Sequence, residues 1–368
     1  MAARATHGAH RHGFSLKSIV SLRNEVNLLA RTDPHPLARL RERHGGAWIA
    51  MCVHVESPRH VSFMANPTNL GVDRILCAVT FSPSARHVVE SAASLAEAYG
   101  AELRLFHILR STEGVSAAAT DTHSERTLAK LFALARHVPG RPRISAAVTS
   151  GDAADEILRH ARMVQADLIA IGMHAGDQTV SPVVEKVAIH APCPVLVVPR
   201  PDDRPSKPRR APHAVLCGVD FSPASLASAS HAYRLAHGLG ARVTFVHVLP
   251  ERWEGPQRQD ANLGAWRHAL EHRFRSLLQD TISEVSGLGD SSPVVVSGSP
   301  CVEIVRLART GGADLVVMGI DAQQRSRNEL GSTTSCVMHL AQTPVLLVPE
   351  HLFDMPQVTR ATLSDGRH

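Results

Sequence analysis

Aromatic residues are scarce: Phe, Trp and Tyr together make up 4% of the 368 residues. So few rings cannot build a platform on which successive bases of a single strand stack. No apolar run reaches the length of about 18 residues read as a membrane-spanning helix. The six cysteines (Cys52, Cys77, Cys193, Cys217, Cys301, Cys336) include no CxxC pair. Cys77, Cys217 and Cys336 stand in apolar stretches, where a free thiol behaves as a small hydrophobe. The expectation is a reducing compartment, the cytoplasm, with no disulfide framework. A Walker lysine motif is also missing, so no lysine-based phosphate loop is present.

What charge there is lies outside the folded segments. Of the net +5, residues 1–63 carry +5 (nine Lys/Arg against four Asp/Glu) and residues 200–213 carry +3. The remainder sums to −3. The basicity belongs to a tail and a linker, and neither nucleic acid nor membrane is expected as a partner.

What is there is a repeat. RILCAVTFSPSA (Arg74–Ala85) aligns with AVLCGVDFSPAS (Ala214–Ser225), and 74–109 against 214–249 gives 13 identities in 36 positions. SGDAADEILRHAR matches SGSPCVEIVRLAR, ADLIAIGM matches ADLVVMGI, and PVLVVP matches PVLLVP. Strands are expected near 74–80, 103–109, 144–149, 167–172 and 194–199, and again near 214–220, 242–249, 293–297, 314–319 and 344–349. Between the first two strands Ala85, Val88, Val89, Ala92, Leu95, Ala96 and Tyr99 keep helical spacing, ahead of Gly100 at a C-cap position. Trp266, Leu270, Phe274, Leu277 and Val285 make a comparable stripe in the second copy.

Nearly continuous apolar strands alternating with helices predict α/β architecture: two tandem Rossmann-like domains, each a doubly wound, five-stranded parallel sheet. The expected layout is an N-terminal extension (1–70), domain 1 (71–200), a Pro/Arg-rich linker (201–212), domain 2 (213–350) and a C-terminal tail (351–368). The extension has no counterpart in the repeat. Ser15–Ala30 could form an amphipathic helix there, and the segment reads as a targeting peptide, a regulatory arm or a translation start placed too early, with Met64 the preferred start.

Sheets of this kind bind ligands at the carboxyl ends of their strands. After the fourth strand of copy two runs GIDAQQRSRNELGSTTS (Gly319–Ser335), an irregular polar stretch ending in glycine and hydroxyls. Glycine admits close backbone approach, a hydroxyl residue can cap the next helix, and its free N–H groups favour an anion. Arg325 and Arg327 could add charge. From spacing alone, an anion loop and an ordinary N-cap beside a surface loop are equally good readings.

With AVLCGVDFSPAS, ARVTFVHVL, ADLVVMG, GSTTSCVMHLAQTPVLLVP and IHAPCPVLVVP, the chain resembles the universal stress protein family in a tandem form. The resemblance implies a stress-response role. Members that bind ATP carry G-x2-G-x9-G-S/T after strand four and an adenine-contacting aspartate after strand one. Carried over, these imply a nucleotide site in copy two made by Asp220, Val248, Gly319, Gly331, Ser332, Thr333 and Thr334. Ala322 replaces the second glycine and the spacing to Gly331 is one residue short. Asp220 also reads as a capping residue for the next helix. In copy one Thr80 replaces the aspartate, Ser181-Pro182 replaces Gly-Ser, and the loop is three residues shorter, about 10 Å of reach. ATP or another adenine nucleotide is therefore expected in the second domain only.

Neither a metal site nor a catalytic constellation is expected. HGAHRH (His7–His12) is the only dense histidine cluster, and it lies in the extension. His107 and His247, near the ends of the second strands, read as packing residues. GLGARV (Gly238–Val243) is a helix-to-strand turn, because it follows a helix instead of a strand. The family's habits imply an intramolecular pseudo-dimer through the last strands, and a homodimer of whole chains is a further option. The competing functional readings are a nucleotide-free scaffold and a slow ATPase.

Overall fold

The computed structural model describes residues 53–55, 72–109, 117–136, 138, 142–173, 181–200, 211–249, 271, 272, 274–276, 278 and 291–352. Its strands are β1 (Val53–Val55), β2 (Arg74–Ala78), β3 (Glu102–Leu109), β4 (Arg143–Ser150), β5 (Leu168–Gly172) and β6 (Val195–Val198). They continue as β7 (Ala214–Gly218), β8 (Arg242–Leu249), β9 (Ser292–Ser297), β10 (Leu315–Ile320) and β11 (Val345–Pro349). The helices are α1 (Ala85–Tyr99), α2 (Ala117–Ala135), α3 (Ala153–Met163), α4 (Pro182–His190), α5 (Pro223–Leu239), α6 (Pro300–Thr310), α7 (Ala322–Arg327) and α8 (Ser332–Leu340).

All eleven strands belong to one sheet, ordered β1-β4-β3-β2-β5-β6-β11-β10-β7-β8-β9. Within each copy neighbouring strands are parallel, as Cys77↔Leu105 and Cys77↔Ala170 show in one and Cys217↔Phe245 and Cys217↔Val317 in the other. Strand residues alternate between two apolar layers. Ile75, Cys77, Leu105 and Ala170 face α1, while Leu76, Phe106, Ile169 and Val195 belong to the opposite layer with Ile157 and Val187. Both faces are buried, which is why the strands read as unbroken apolar runs.

The α1 stripe behaves as its spacing requires: Ala85, Val88, Val89, Ala92, Leu95 and Ala96 are all buried. Gly100 closes the helix in the left-handed region (φ 67°), where its N–H meets the carbonyls of Ala96 and Glu97. Gly240 does the same for α5.

The copies meet at their last strands. β6 and β11 pair antiparallel, Val195↔Leu347, Leu196↔Leu346 and Val197↔Val345, so two edges that would otherwise be exposed satisfy each other.

Three expectations need correction. β1 lies within the segment set apart as an extension, yet it pairs antiparallel with β4 and adds a sixth strand to the first copy's side of the sheet. The stretch after β10 is not irregular: Asp321 caps a short helix, α7, by accepting from the Gln323 N–H, and Asn328 ends it in the left-handed region. Cys336 is not a free thiol but forms a disulfide with Cys301, their Cα atoms 5.9 Å apart. Packing of α6 against α8 brings together residues 35 positions apart, which no local pattern announces. With that bond, cysteine content ceases to argue for a reducing compartment. Cys77, Cys193 and Cys217 are free and buried.

The Ser15–Ala30 helix, Met64, the HGAHRH cluster, Trp266, Leu270, Leu277 and Val285 lie outside the described residues. Phe274, from the same stripe, is fully buried.

Candidate functional site

The site grows out of the exit of β7. In the sheet β7 lies between β8 and β10, so the chain leaves it towards opposite sides and opens a crevice at the strands' carboxyl ends. A cavity of about 390 Å³ occupies that position. Its lining includes Gly218 to Asp220 from the β7 exit, Val246 to Val248 from β8, Met318 and Gly319 from β10, and Gly331 to Thr334 from the start of α8. Asp220, Val248, Gly319, Gly331, Ser332, Thr333 and Thr334, all picked out from sequence, thus converge on one cavity.

Asp220 is held by its neighbours. Its Oδ1 accepts from the Ser222 N–H (3.0 Å) and the Ser222 hydroxyl (2.6 Å). Ser222 is the residue that caps α5, accepting from the Ser225 N–H at 3.2 Å. Asp220 therefore orients the cap and is not itself the cap. Both bonds fall on one oxygen, leaving acceptor capacity for a ligand donor. The cavity walls desolvate the carboxyl and pull its pKa upward, but the Ser222 and Ser225 hydrogen bonds outweigh this and hold it below the ordinary 3.8.

Between Asp220 and Ser222, Phe221 takes a left-handed conformation (φ 65°). For a bulky L-residue that costs about 1–2 kcal/mol. The ring is braced by His247, centroids 4.5 Å apart, and by Phe274 at 5.2 Å, edge to face. Phe81, its counterpart, has no such backbone conformation. Sequence offers no signal for this, since phenylalanine does not advertise positive φ.

His247 lines the cavity, with Nδ1 2.8 Å from the Val219 carbonyl. A carbonyl only accepts, so Nδ1 carries the proton there. His107 makes the matching bond to Val79 in copy one at 2.7 Å, and burial lowers its pKa. Each ring ties the end of a second strand to the exit of the first, the packing role expected.

The N-terminus of α8 forms the opposite wall. Gly331 is its N-cap, in extended backbone, with no side-chain cap; Ser332 is the first helical residue, not the cap that was expected. Ser335 is the first N–H to bond back, to the Gly331 carbonyl at 2.9 Å. The N–H groups of Ser332, Thr333 and Thr334 therefore lack intrahelical acceptors and give the cavity an anion-attracting wall.

The two glycines serve different ends. A Cβ on Gly319 would sit 2.4 Å from the Ala224 carbonyl oxygen, so this glycine permits packing of β10 against α5, not approach of a ligand. A Cβ on Gly331 would meet only the tip of the Gln324 side chain, at 2.7 Å. Ala322 is unstrained in the first turn of α7, donating to Glu350 Oε2 at 3.0 Å.

The arginines of the loop do not serve the cavity. Arg325 points Nη1 at the Ala191 carbonyl of copy one (3.5 Å), and burial lowers its pKa. Next to it His190 of α4 meets the Asn328 side chain at 2.5 Å. The loop is thus anchored on the first copy, and no Lys or Arg lines the cavity. Sequence reading missed Ser222, Pro300, Ile304, Asp321 and Gln324, all of which line it. Among the described residues there is no cluster of three metal-ligating side chains.

In copy one the matching elements differ. Thr80 bonds to the Ser82 hydroxyl at 3.2 Å, and α4 begins with Pro182, which has no N–H to offer. Residues 174–180 of its loop lie outside the described residues.

The doubled fold has known counterparts. The sequence model of the universal stress protein family matches residues 71–199 and again 212–349. The chain belongs to the universal stress protein family. A universal stress protein from Archaeoglobus fulgidus DSM 4304 shares its fold, with 17% identity, a TM-score of 0.54, and 76% of this chain and 96% of that one covered. A putative universal stress protein from Pseudomonas aeruginosa UCBPP-PA14 aligns with 19% identity and a TM-score of 0.52, covering 82% and 99%. No curated protein matches the sequence significantly. Membership of the family supports a role in the stress response. No helix among the described residues is long and apolar enough to cross a membrane.

Proposed function

We propose that this universal stress protein binds an adenine nucleotide, ATP, in its second copy only, and acts in the cytoplasm through conformation and partners, not catalysis. One observation carries the reading: Asp220 and Gly331–Thr334, remote in sequence, line one cavity of about 390 Å³ at the carboxyl ends of the strands. That volume lies in the usual range for small-molecule sites. Asp220 would accept from the adenine amino group, Val248 would pack against the nucleoside, and the first turn of α8 would receive phosphate oxygens. Each charge-assisted hydrogen bond of that kind contributes about 1.5–3 kcal/mol, so three suffice without a lysine.

Joined last strands make the chain a pseudo-dimer in this reading, each copy covering the other's edge. The test is calorimetric titration of the full-length chain with ATP, beside analysis of nucleotide carried through purification. Saturable binding that Asp220→Ala weakens and Thr80→Ala leaves alone supports the proposal. No heat signal and no co-purified nucleotide would sink it.

A second reading, a nucleotide-free scaffold, is favoured by one feature: the cavity is lined by two carboxylates, Asp220 and Asp321, and by no Lys or Arg. A polyphosphate would meet that charge uncompensated. Steady phosphate release, lost with Asp220→Ala, would instead favour slow hydrolysis.

A further inference from the structure

Beneath the cavity two helices run side by side. α6 contributes Pro300 and Ile304 to the lining, and α8 contributes its whole first turn. Cys301, second residue of α6, and Cys336, fifth residue of α8, join them covalently. Cys336 lies two positions beyond Thr334, a buried residue of the cavity wall. Any freedom gained at Cys336 therefore reaches the N–H groups facing the cavity.

Copy one shows what the same helix pair does without sulfur. Ala154 and Lys186 stand at the matching positions, and Lys186 bridges from α4 to Asp155 (2.7 Å) and Asp152 (3.6 Å) at the start of α3. The link there is exposed charge, indifferent to redox state. The other described cysteines offer no alternative thiol chemistry: burial pushes Cys77, Cys193 and Cys217 up to about 12. The only cysteine pair close enough to react among the described residues sits at the candidate nucleotide wall, in the copy that keeps Asp220.

We infer that the Cys301–Cys336 bond is a reversible strut for the phosphate wall, closed by oxidation and opened by thiols. The inference rests on the reading of the cavity as an adenine-nucleotide site. The co-reactant is a small dithiol. Its thiolate attacks the sulfur of Cys336, the less buried of the two residues. The S–S bond breaks, and its electron pair leaves on the Cys301 sulfur, which takes a proton. The second thiolate of the reagent then attacks the mixed disulfide. Cys336 leaves as thiolate and is protonated, and the reagent departs as a cyclic disulfide. Two electrons and two protons have entered the protein; a small disulfide reverses the sequence by the same exchange.

Opening the strut does not unfold α8, because Thr334, Val337 and Met338 keep it packed on the sheet. It releases the helix start from α6, so the donors facing the cavity are less preorganised and a ligand must order them. The oxidised protein is the tighter binder, by about fivefold to tenfold.

The experiment is ATP titration of the full-length chain, oxidised with a small disulfide or reduced with a dithiol, with thiols counted by labelling under native conditions. Cys301→Ala/Cys336→Ala serves as a permanently open form, its folding checked by circular dichroism. Expected are two extra labelled thiols on reduction, a Kd raised about fivefold or more, and a double variant that matches the reduced protein whether or not dithiol is present. Equal affinity in both states overturns the strut and leaves the nucleotide reading standing. Failure of a dithiol to release the two thiols from folded protein overturns its reversibility. Binding in neither state overturns the nucleotide reading and the strut with it. Should the double variant misfold, the two redox states of the unaltered chain still decide.

Discussion

The two copies solve one packing problem twice, by different chemistry. The helix before strand four must stay against the helix before strand five: α3 against α4, α6 against α8. Copy one uses Lys186 with Asp155 and Asp152, and copy two uses the Cys301–Cys336 bond. The same division runs through the strand ends. Thr80 makes a short hydroxyl chain where Asp220 holds Ser222 and keeps an acceptor free. Pro182 starts its helix without an N–H where Ser332 starts with one. Copy one keeps what a scaffold needs, and the end of its α4, with His190 and the following Ala191, anchors the other copy's loop.

The comparison can be broken in steps, the largest effect first. Reducing the disulfide should destabilise copy two by about 4 kcal/mol, since the bond closes a loop of 35 residues in the unfolded chain. Denaturant unfolding with and without dithiol measures this; coincident curves would mean the bond adds nothing to stability.

Gly319→Ala comes next, at about 1–3 kcal/mol, because the obstructing atom is the Ala224 backbone carbonyl and cannot move aside. Gly331→Ala should cost stability almost nothing, as only the Gln324 side chain must shift. A thermal melt of the two variants side by side tests whether the glycines differ as their surroundings say.

Asp220→Ala should weaken ATP by about tenfold to a hundredfold, the loss of one hydrogen bond to a charged acceptor. Thr80→Asp should restore nothing in copy one, because Pro182 still lacks its donor. Since Asp220 is held below 3.8 in the folded protein, its ionised form contributes above that value and is lost only as pH falls through the lower folded one. ATP affinity should therefore stay flat from about pH 5 to about pH 8 as far as this residue governs it. A midpoint inside that window would assign the titration to another group.

The smallest effect belongs to Lys186→Ala. Its ion pairs are exposed, so the unfolding midpoint should not shift measurably, and added salt should not change it either. A clear loss would show that copy one depends on its bridge as copy two depends on its disulfide.

Much of the fold was legible. The strand runs could be placed to within a residue or two because burial on both faces leaves unbroken apolar segments, and the α1 stripe with Gly100 marked a helix and its end. That Asp220, Val248 and Gly331 to Thr334 line one cavity followed from the pattern the chain shares with its family, and the repeat added a contrast, a second copy in which Asp220 and Gly331 are replaced. What could not be read were features that depend on distant chain. Arg325, counted on to add charge in the loop, turns to the Ala191 carbonyl. Gly319, read as room for a ligand, is room for α5. Phe221 holds a positive φ with its ring packed against His247 and Phe274, and Phe274 comes from a distant part of the chain.

By itself the sequence determined the doubled α/β unit and the asymmetry between its copies, because periodicity, caps and replaced residues act within a few positions of each other. Only tertiary structure decided which side chains meet. It placed Cys301 beside Cys336, turned Arg325 to the Ala191 carbonyl, and set Gly319 against the Ala224 backbone. Those contacts are set by the packing of helices and strands far apart in the chain, and no short stretch of residues encodes them.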